Sequence, residues 1–385
     1  MRFIVNHIII YIRRTDRLMW LMCFALSALS LVLLAGIVES GHADSLRISE
    51  RNVIVQGVSV LLGIFGAVVV SLINYKLLAK LWKLHGPICY GLLILTFFVG
   101  VGAPGRPGDR RWLVLPFFDM TLQPAELLRF SFILMFAYHI FKVKDKINHP
   151  LHLLGLLIHG AVPVVLIHLQ GDDGSALLFA TIVVCMLFCA GINWKYMVSA
   201  TVLVGVSLPL IWYFVLTEFQ RDRFLVLGYR TEGDIQGVFF QQHRALLALA
   251  FGGMEGRGVF GDSQHIYIPE MHNDFIFSFL GESLGLVGVV LTIVVMVILW
   301  FRILINAGKS QDMLGNMICV GVFAMLFFQA AINIGMNISV LPVIGNNLPF
   351  VSYGGSSVLA SYLGIGLVLS VSRHHQSRSM FDKEE

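Results

Sequence analysis

Residues 261–279 read GDSQHIYIPEMHNDFIFSF, and this stretch decides the fold. Its first half is a polar loop; from Phe275-Ile276-Phe277 onward it is membrane material. Two carboxylates, Glu270 and Asp274, stand four residues apart with His272 and Asn273 between them. A carboxylate at the lip of a bilayer is costly to keep, so it marks a functional position. A helix would put Glu270 and Asp274 on one face, although Pro269 leaves the start of that helix open. Asp274 then reads as the N-cap of the helix or as a catalytic carboxylate or metal ligand. Glu282, eight residues further, is placed to face the same interior.

Composition extends the membrane reading to the whole chain. The 385 residues are 57% hydrophobic and 13% charged, with mean hydropathy +0.80, against about 45–50% and about 25% in soluble domains. A hydrocarbon core about 30 Å thick needs roughly 20 apolar residues per helix. Ten runs qualify, at about 18–38, 52–73, 88–102, 124–141, 151–170, 174–192, 196–217, 275–301, 313–336 and 355–372. The fold class is therefore an all-α polytopic membrane protein of ten transmembrane helices, one integral domain over residues 1–385. Arg13, Arg14 and Arg17 precede the first run as in a signal peptide, but the run exceeds the usual 7–15 residues and reads as an uncleaved anchor.

Basic residues set the orientation. With the N-terminus inside, every lysine falls on the cytoplasmic side, and both termini are cytoplasmic. The largest extracytoplasmic loop, about 218–274, lies between helices 7 and 8. It contains an apolar run, Ala245 to Phe251, and a glycine cluster (Gly252, Gly253, Gly256, Gly258, Gly261). That is too apolar for disorder, so the loop is expected to fold back on the membrane surface. The six tryptophans sit near span ends, as an interfacial belt requires. All five cysteines lie in apolar segments, so no disulfide is expected. Gly308-Lys309-Ser310 lacks the leading glycine of a phosphate-binding loop, Ile303 standing there, and reads as a turn. A net charge of +4 gives no reason to expect a nucleic-acid partner.

Several polar groups gather on the outer side. Pro124 suits the first turn of a helix, and Glu126 and Arg129 can pair on one face, as a structural ion pair or as the lining of a polar cavity. Asp172-Asp173 suits a helix cap or a divalent cation held by oxygen ligands. All ten basic residues expected outside are arginines, among them Arg110, Arg111, Arg221 and Arg223. Arginine's planar fork grips phosphate oxygens in two places, so a pyrophosphate-bearing ligand fits this bias. The last outer loop, Leu341 to Ser357, is broken by two prolines and three glycines. Such backbone is tolerated at membrane depth only against protein or a cavity. Its Ser352, Gly354, Gly355 and Ser356 lack the setting of a serine hydrolase nucleophile.

Three stretches together carry a family resemblance: GDRRW with LQPAELLRF, GGMEGRGVFGDS with YIPEMHNDFIFSFLGESLGLVG, and INIGMNISVLPVIGNNLPFVSYGGSS. They resemble the SEDS family of RodA, FtsW and SpoVE, over nearly the whole chain. The resemblance implies a peptidoglycan glycosyltransferase that polymerises lipid II on the outer face of the bacterial cytoplasmic membrane, serving elongation, division or sporulation. It implies a class B penicillin-binding protein, a transpeptidase, as partner. The family's essential aspartate falls on Asp274, its tryptophan on Trp112 and its Gln-Pro-x-Glu glutamate on Glu126. The chain departs from the pattern at Gly171, Asn273, Ser283 and Arg129.

On this resemblance Asp274 is the general base that deprotonates an attacking sugar hydroxyl, and a single displacement inverts the anomeric centre. Trp112, Glu126, Glu270, His272 and the four residues of the last loop become candidate substrate contacts. Arg110, Arg111, Arg221 and Arg223 are the candidates to meet the pyrophosphate. A divalent cation, Mg or Mn, is the candidate cofactor, and no organic cofactor is expected. A lipid II flippase, supported by intramembrane polar residues such as Asn333 and Asn337, and a non-catalytic scaffold are the competing readings.

Overall fold

The computed structural model describes residues 11, 15–102, 109–115, 120–214, 216, 218–225, 239–260 and 265–381. Its helices are α1 (Arg17–Glu39), α2 (Ala43–Leu46), α3 (Glu50–Leu72), α4 (Tyr75–Lys80) and α5 (Trp82–Val99). A two-stranded antiparallel hairpin, β1 (Leu113–Leu115) with β2 (Met120–Leu122), precedes α6 (Pro124–Val143). Then follow α7 (Pro150–Leu169), α8 (Asp173–Cys189), α9 (Trp194–Phe214), α10 (Glu218–Leu225) and α11 (Phe240–Gly252). The chain closes with α12 (Ile276–Gly308), α13 (Met313–Asn337) and α14 (Gly355–Phe381). Eight of these helices are long and apolar enough to cross a membrane. Of the other two long ones, α6 carries Glu126, Arg129 and Lys142, and α8 is an apolar helix of 17 residues.

Helices α13 and α14 form the centre and are largely buried along their lengths. Small residues bring α3 against α14. A methyl group on Gly366 would lie 2.8 Å from Ala67 O, and one on Gly63 would lie 2.7 Å from the Tyr362 ring. Such close approach is the usual basis of helix packing where no water drives association. Helix α9, by contrast, buries none of its apolar window and lies at the edge.

Helix α12 is kinked at Gly285, whose φ of 63° and ψ of −169° interrupt the helical ladder. The glycine-rich segment after α11 supplies the partners that the kink removes. Leu286 N–H donates to Gly253 O and Val287 N–H to Met254 O, while Arg257 and Gly258 N–H reach Glu282 and Ser283 O. Gly252 and Gly256 press on the Gly281 and Ser283 carbonyls, where no side chain fits. This is why glycines cluster there: residues 252–258 pack directly against α12. Gly261, the last of that cluster, lies outside the described residues.

The structure moves some boundaries. Helix α5 starts at Trp82, six residues before the apolar run at 88, and α12 continues seven residues past 301. Trp300 consequently sits well inside α12 rather than near its end. The five cysteines are free, and Ser310 N–H bonds Ala307 O in a turn after α12.

Candidate active site

Asp274 lies in the turn that leads into α12. Glu270 starts this turn with left-handed backbone, φ 58°, and its carbonyl accepts from Asn273 and Phe275 N–H. Left-handed geometry cannot continue a helix, so Glu270 and Asp274 do not share a helical face. The exposed Glu270 carboxylate accepts from Asn273 Nδ2 at 3.0 Å instead. Nor is Asp274 the N-cap: that position is Phe275. The N3 amide, Ser278 N–H, which a capping side chain would accept, donates to Asn337 Oδ1 at 3.1 Å from α13. Asp274 is left half-buried, and a methyl group on Gly345 would lie 3.5 Å from its Oδ2.

Gly345 belongs to the last loop, which is bound from several sides. Ser352 Oγ donates to Asn273 O at 2.6 Å and accepts from Leu348 N–H at 2.7 Å. Buried Gln56 of α3 donates to Ser352 O at 3.1 Å and to Ser30 Oγ at 2.9 Å, and accepts from Gly354 N–H. Tyr353 N–H donates to His272 O, and the two rings lie 5.7 Å apart. Burial holds the His272 imidazole below its ordinary value despite the opposing charge of Glu270. Its Nδ1 is buried without a hydrogen-bond partner among the described residues.

The same loop meets the start of α8, where a methyl group on Gly174 would lie 3.0 Å from Gly345 O. Asp172 caps α8 by accepting Ser175 N–H at 3.1 Å, and its other oxygen accepts Gln123 Nε2 at 2.8 Å. Gln123 N–H in turn donates to Ser356 Oγ at 3.1 Å, next to Gly355, which opens α14. Arg111 bridges Asp109 at 2.8 Å and Asp172 at 3.7 Å and donates to Gly171 O. Arg110 donates to Phe97 O, an end carbonyl of α5. Trp112, half-buried, is held by backbone pairing with Val101.

Below this layer, Glu126 and Arg129 form a buried pair at 2.6 Å. Arg129 also donates to Ser175 Oγ at 2.9 Å and Gln329 Oε1 at 3.5 Å, joining α6, α8 and α13. The pair thus forms a cross-brace between three helices. Arg221 on α10 has a buried Nε with no hydrogen-bond partner among the described residues. The side chain of Arg223 lies outside them.

Glu282 does not share the Asp274 interior. It is fully buried and accepts Ile266 N–H at 3.0 Å, with Arg257 at 3.3 Å and His265 at 3.6 Å. An acid on this turn of α12 needs a cation beside it, and the folded-back loop provides one. A divalent ion does not fit the Asp172-Asp173 turn either. Asp172 spends both oxygens on protein donors and Asp173 pairs with His168 at 2.7 Å. No group of three metal-binding side chains converges among the described residues.

Residues 16–377 match the profile of the FtsW/RodA/SpoVE family, described as cell cycle proteins. The chain is 31% identical over 316 residues to the peptidoglycan glycosyltransferase MrdB of Escherichia coli, covering 81% of this chain and 84% of that one. It is also 31% identical over 364 residues to the probable peptidoglycan glycosyltransferase FtsW of Trichlorobacter lovleyi, covering 93% of each. Among solved structures it resembles a chain of a peptidoglycan synthase complex that coordinates polymerization and crosslinking. There the TM-score is 0.77 and the identity 27%, over 94% of this chain and 98% of that one. The rod shape determining protein RodA of Thermus thermophilus gives a TM-score of 0.67 and 25% identity, over 94% of this chain and 97% of that one.

Proposed function

The chain belongs to the FtsW/RodA/SpoVE family of cell cycle proteins, and on that premise we infer that it is a membrane-embedded peptidoglycan glycosyltransferase. The substrate is lipid II, a disaccharide joined through pyrophosphate to a polyprenyl tail, and the product is a glycan strand. Ten spans with both termini in the cytoplasm put the Asp274 end of the bundle outside, where the lipid-linked sugars are joined. Lysines confined to the opposite end support that orientation.

The observation that carries the site assignment is the place of the Asp274 carboxylate. It stands at the junction of the α12 turn and the last loop, half-buried and next to Gly345. In the reaction, the 4-hydroxyl of the incoming unit attacks the anomeric carbon of the growing strand. Asp274 takes the hydroxyl proton as the new C–O bond forms. The bond to pyrophosphate breaks on the opposite face and its electron pair leaves with the polyprenyl pyrophosphate, so the anomeric centre inverts. Charge growing on the leaving group calls for fixed donors. Arg111 and Arg221 each keep a buried Nε with no hydrogen-bond partner among the described residues, and both are candidates to supply such donors. Arg223 remains a candidate from the sequence.

A class B penicillin-binding protein is the proposed partner, since a strand must be cross-linked after it is made. The similar synthase complex, which coordinates both activities, supports this. The full chain in detergent, co-purified with that partner and given labelled lipid II, is expected to make glycan polymer. Detergent has no sides, so polymer separates the enzyme from a flippase or scaffold. Asp274→Asn should insert and fold but make none; polymer at the normal rate from that variant would refute the assignment.

A further inference from the structure

We propose that Asn333 and Asn337 are positioning residues for the reaction, holding Asp274 by its backbone carbonyl from a different helix. The inference rests on the reading of Asp274 as the base and adds how that base is held. Both asparagines are fully buried. They stand four residues apart on α13, hence on one face.

The start of α12 makes this arrangement necessary. In an uninterrupted helix, Ser278 N–H would donate to Asp274 O. Here it donates to Phe275 O at 3.1 Å and to Asn337 Oδ1 at 3.1 Å. The Asp274 carbonyl, left out of the ladder, accepts instead from Asn333 Nδ2 and Asn337 Nδ2, each at 2.9 Å. A carbonyl has two lone pairs, and the two side chains fill both. Buried polar groups need such partners, but here they come from across an interhelical boundary.

Asn333 does one thing more. The second proton of its amide goes to Asn346 O at 2.6 Å. Asn346 follows Gly345, the residue against the Asp274 carboxylate. One amide therefore fixes both the backbone that carries the carboxylate and the loop wall beside it. Asn337 complements this from below. Its Oδ1 accepts both Ser278 N–H and Ser278 Oγ, the latter at 2.6 Å, and its amide also bonds Asn333 O at 2.9 Å. A shift of α13 against the last loop would be transmitted to the base through these two side chains.

A purely structural bridge between helices predicts a different outcome from a positioning role, and kinetics separates them. The full chain with its partner would be assayed in detergent for kcat and KM on labelled lipid II, with the unfolding midpoint measured on the same samples. Asn333→Leu keeps the volume and removes both donors. We expect kcat to fall about 10- to 100-fold, as for a reacting group displaced by about an ångström, with KM within about twofold and the midpoint retained. Asn337→Leu removes one of the two donors to Asp274 O but leaves Asn333 holding the Asn346 wall, so it should give a smaller fall of the same kind and carries the test if Asn333→Leu does not fold. The double variant should lose less than the product of the two falls, because both residues serve one acceptor. If both single variants retain wild-type kcat, or lose activity only through KM or in step with the folded fraction, the inference is overturned. With Asp274→Asn inactive in the same assay, such a result leaves the base assignment standing. An active Asp274→Asn would overturn both.

Discussion

Asp274 and Glu282 are acids eight residues apart on one segment, and the fold treats them in opposite ways. Asp274 is half-buried where two loops meet, with Gly345 beside its carboxylate. Glu282 is fully buried, with Arg257, His265 and the Ile266 N–H around it. The first is supported through its backbone, by Asn333 and Asn337, and its side chain faces the junction. The second is gripped by its side chain. A carboxylate meant for proton transfer must be reachable, whereas a buried one is kept by its partners. The comparison separates the proposed base, in the turn before α12, from a clamp within that helix.

The largest expected contrast is between the two removals. Asp274→Asn should lower kcat by at least the roughly 100- to 10,000-fold of general-base catalysis, leaving no detectable polymer, with an unchanged unfolding midpoint. Glu282→Ala should do the reverse. It strands His265 and Arg257, so stability should drop toward the low end of roughly 3–5 kcal/mol, since the Arg257 side chain is 35% exposed. Limited proteolysis between 253 and 266 should quicken in that variant, while the residual folded protein keeps near-normal kcat. Equal effects of both substitutions on kcat at constant stability would erase the distinction.

A smaller effect tests the dock that brings Arg257 to Glu282. Gly256 has φ 81° and touches Ser283 O. Gly256→Ala should cost about 1–3 kcal/mol from the strained backbone and more where the methyl group clashes, read as a lowered midpoint. Gly253→Ala at φ 53°, with open space around it, should show the backbone strain alone.

The smallest effect concerns His272, beside Asp274. Burial, opposed by Glu270, holds it below the ordinary imidazole value of 6.5. Well above pH 6.5 it is neutral folded or unfolded and adds no pH dependence. As pH falls below 6.5 the unfolded chain binds the proton first, so stability declines until the folded value is passed. The unfolding midpoint of His272→Gln should be flatter over that window than that of the wild type. An identical slope would remove His272 from the buried side of the comparison.

Much of this was legible in the chain. Eight of the ten apolar runs fall on helices that are long and apolar enough to cross a membrane, because a membrane-scale apolar run has few alternatives to a helix. The misses share a cause. The sequence pairs Glu270 with Asp274 by spacing, but the left-handed backbone at Glu270 breaks the helix on which that spacing relies. It offers Glu282 to the same interior, because nothing local shows that Arg257, 25 residues earlier, is folded beneath it. Asn333 and Asn337 were visible only as polar residues in an apolar run. The acceptor they serve is a main-chain carbonyl about 60 residues away, which no side-chain pattern reveals.

By itself the sequence determined the class of molecule, the helices, the family likeness and the aspartate at the mouth of α12. Composition and periodicity are local properties, and a bilayer restricts what they can build. Only the tertiary structure decided which polar groups meet. It turned Glu126 and Arg129 into a brace, Asp172 into a cap and Glu282 into a clamp, and it gave the Asp274 carbonyl to α13. The physical reason is that a buried hydrogen-bonding group must find a partner wherever the packing brings one. That partner is fixed by how the helices and loops come together, across distances that no spacing along the chain records.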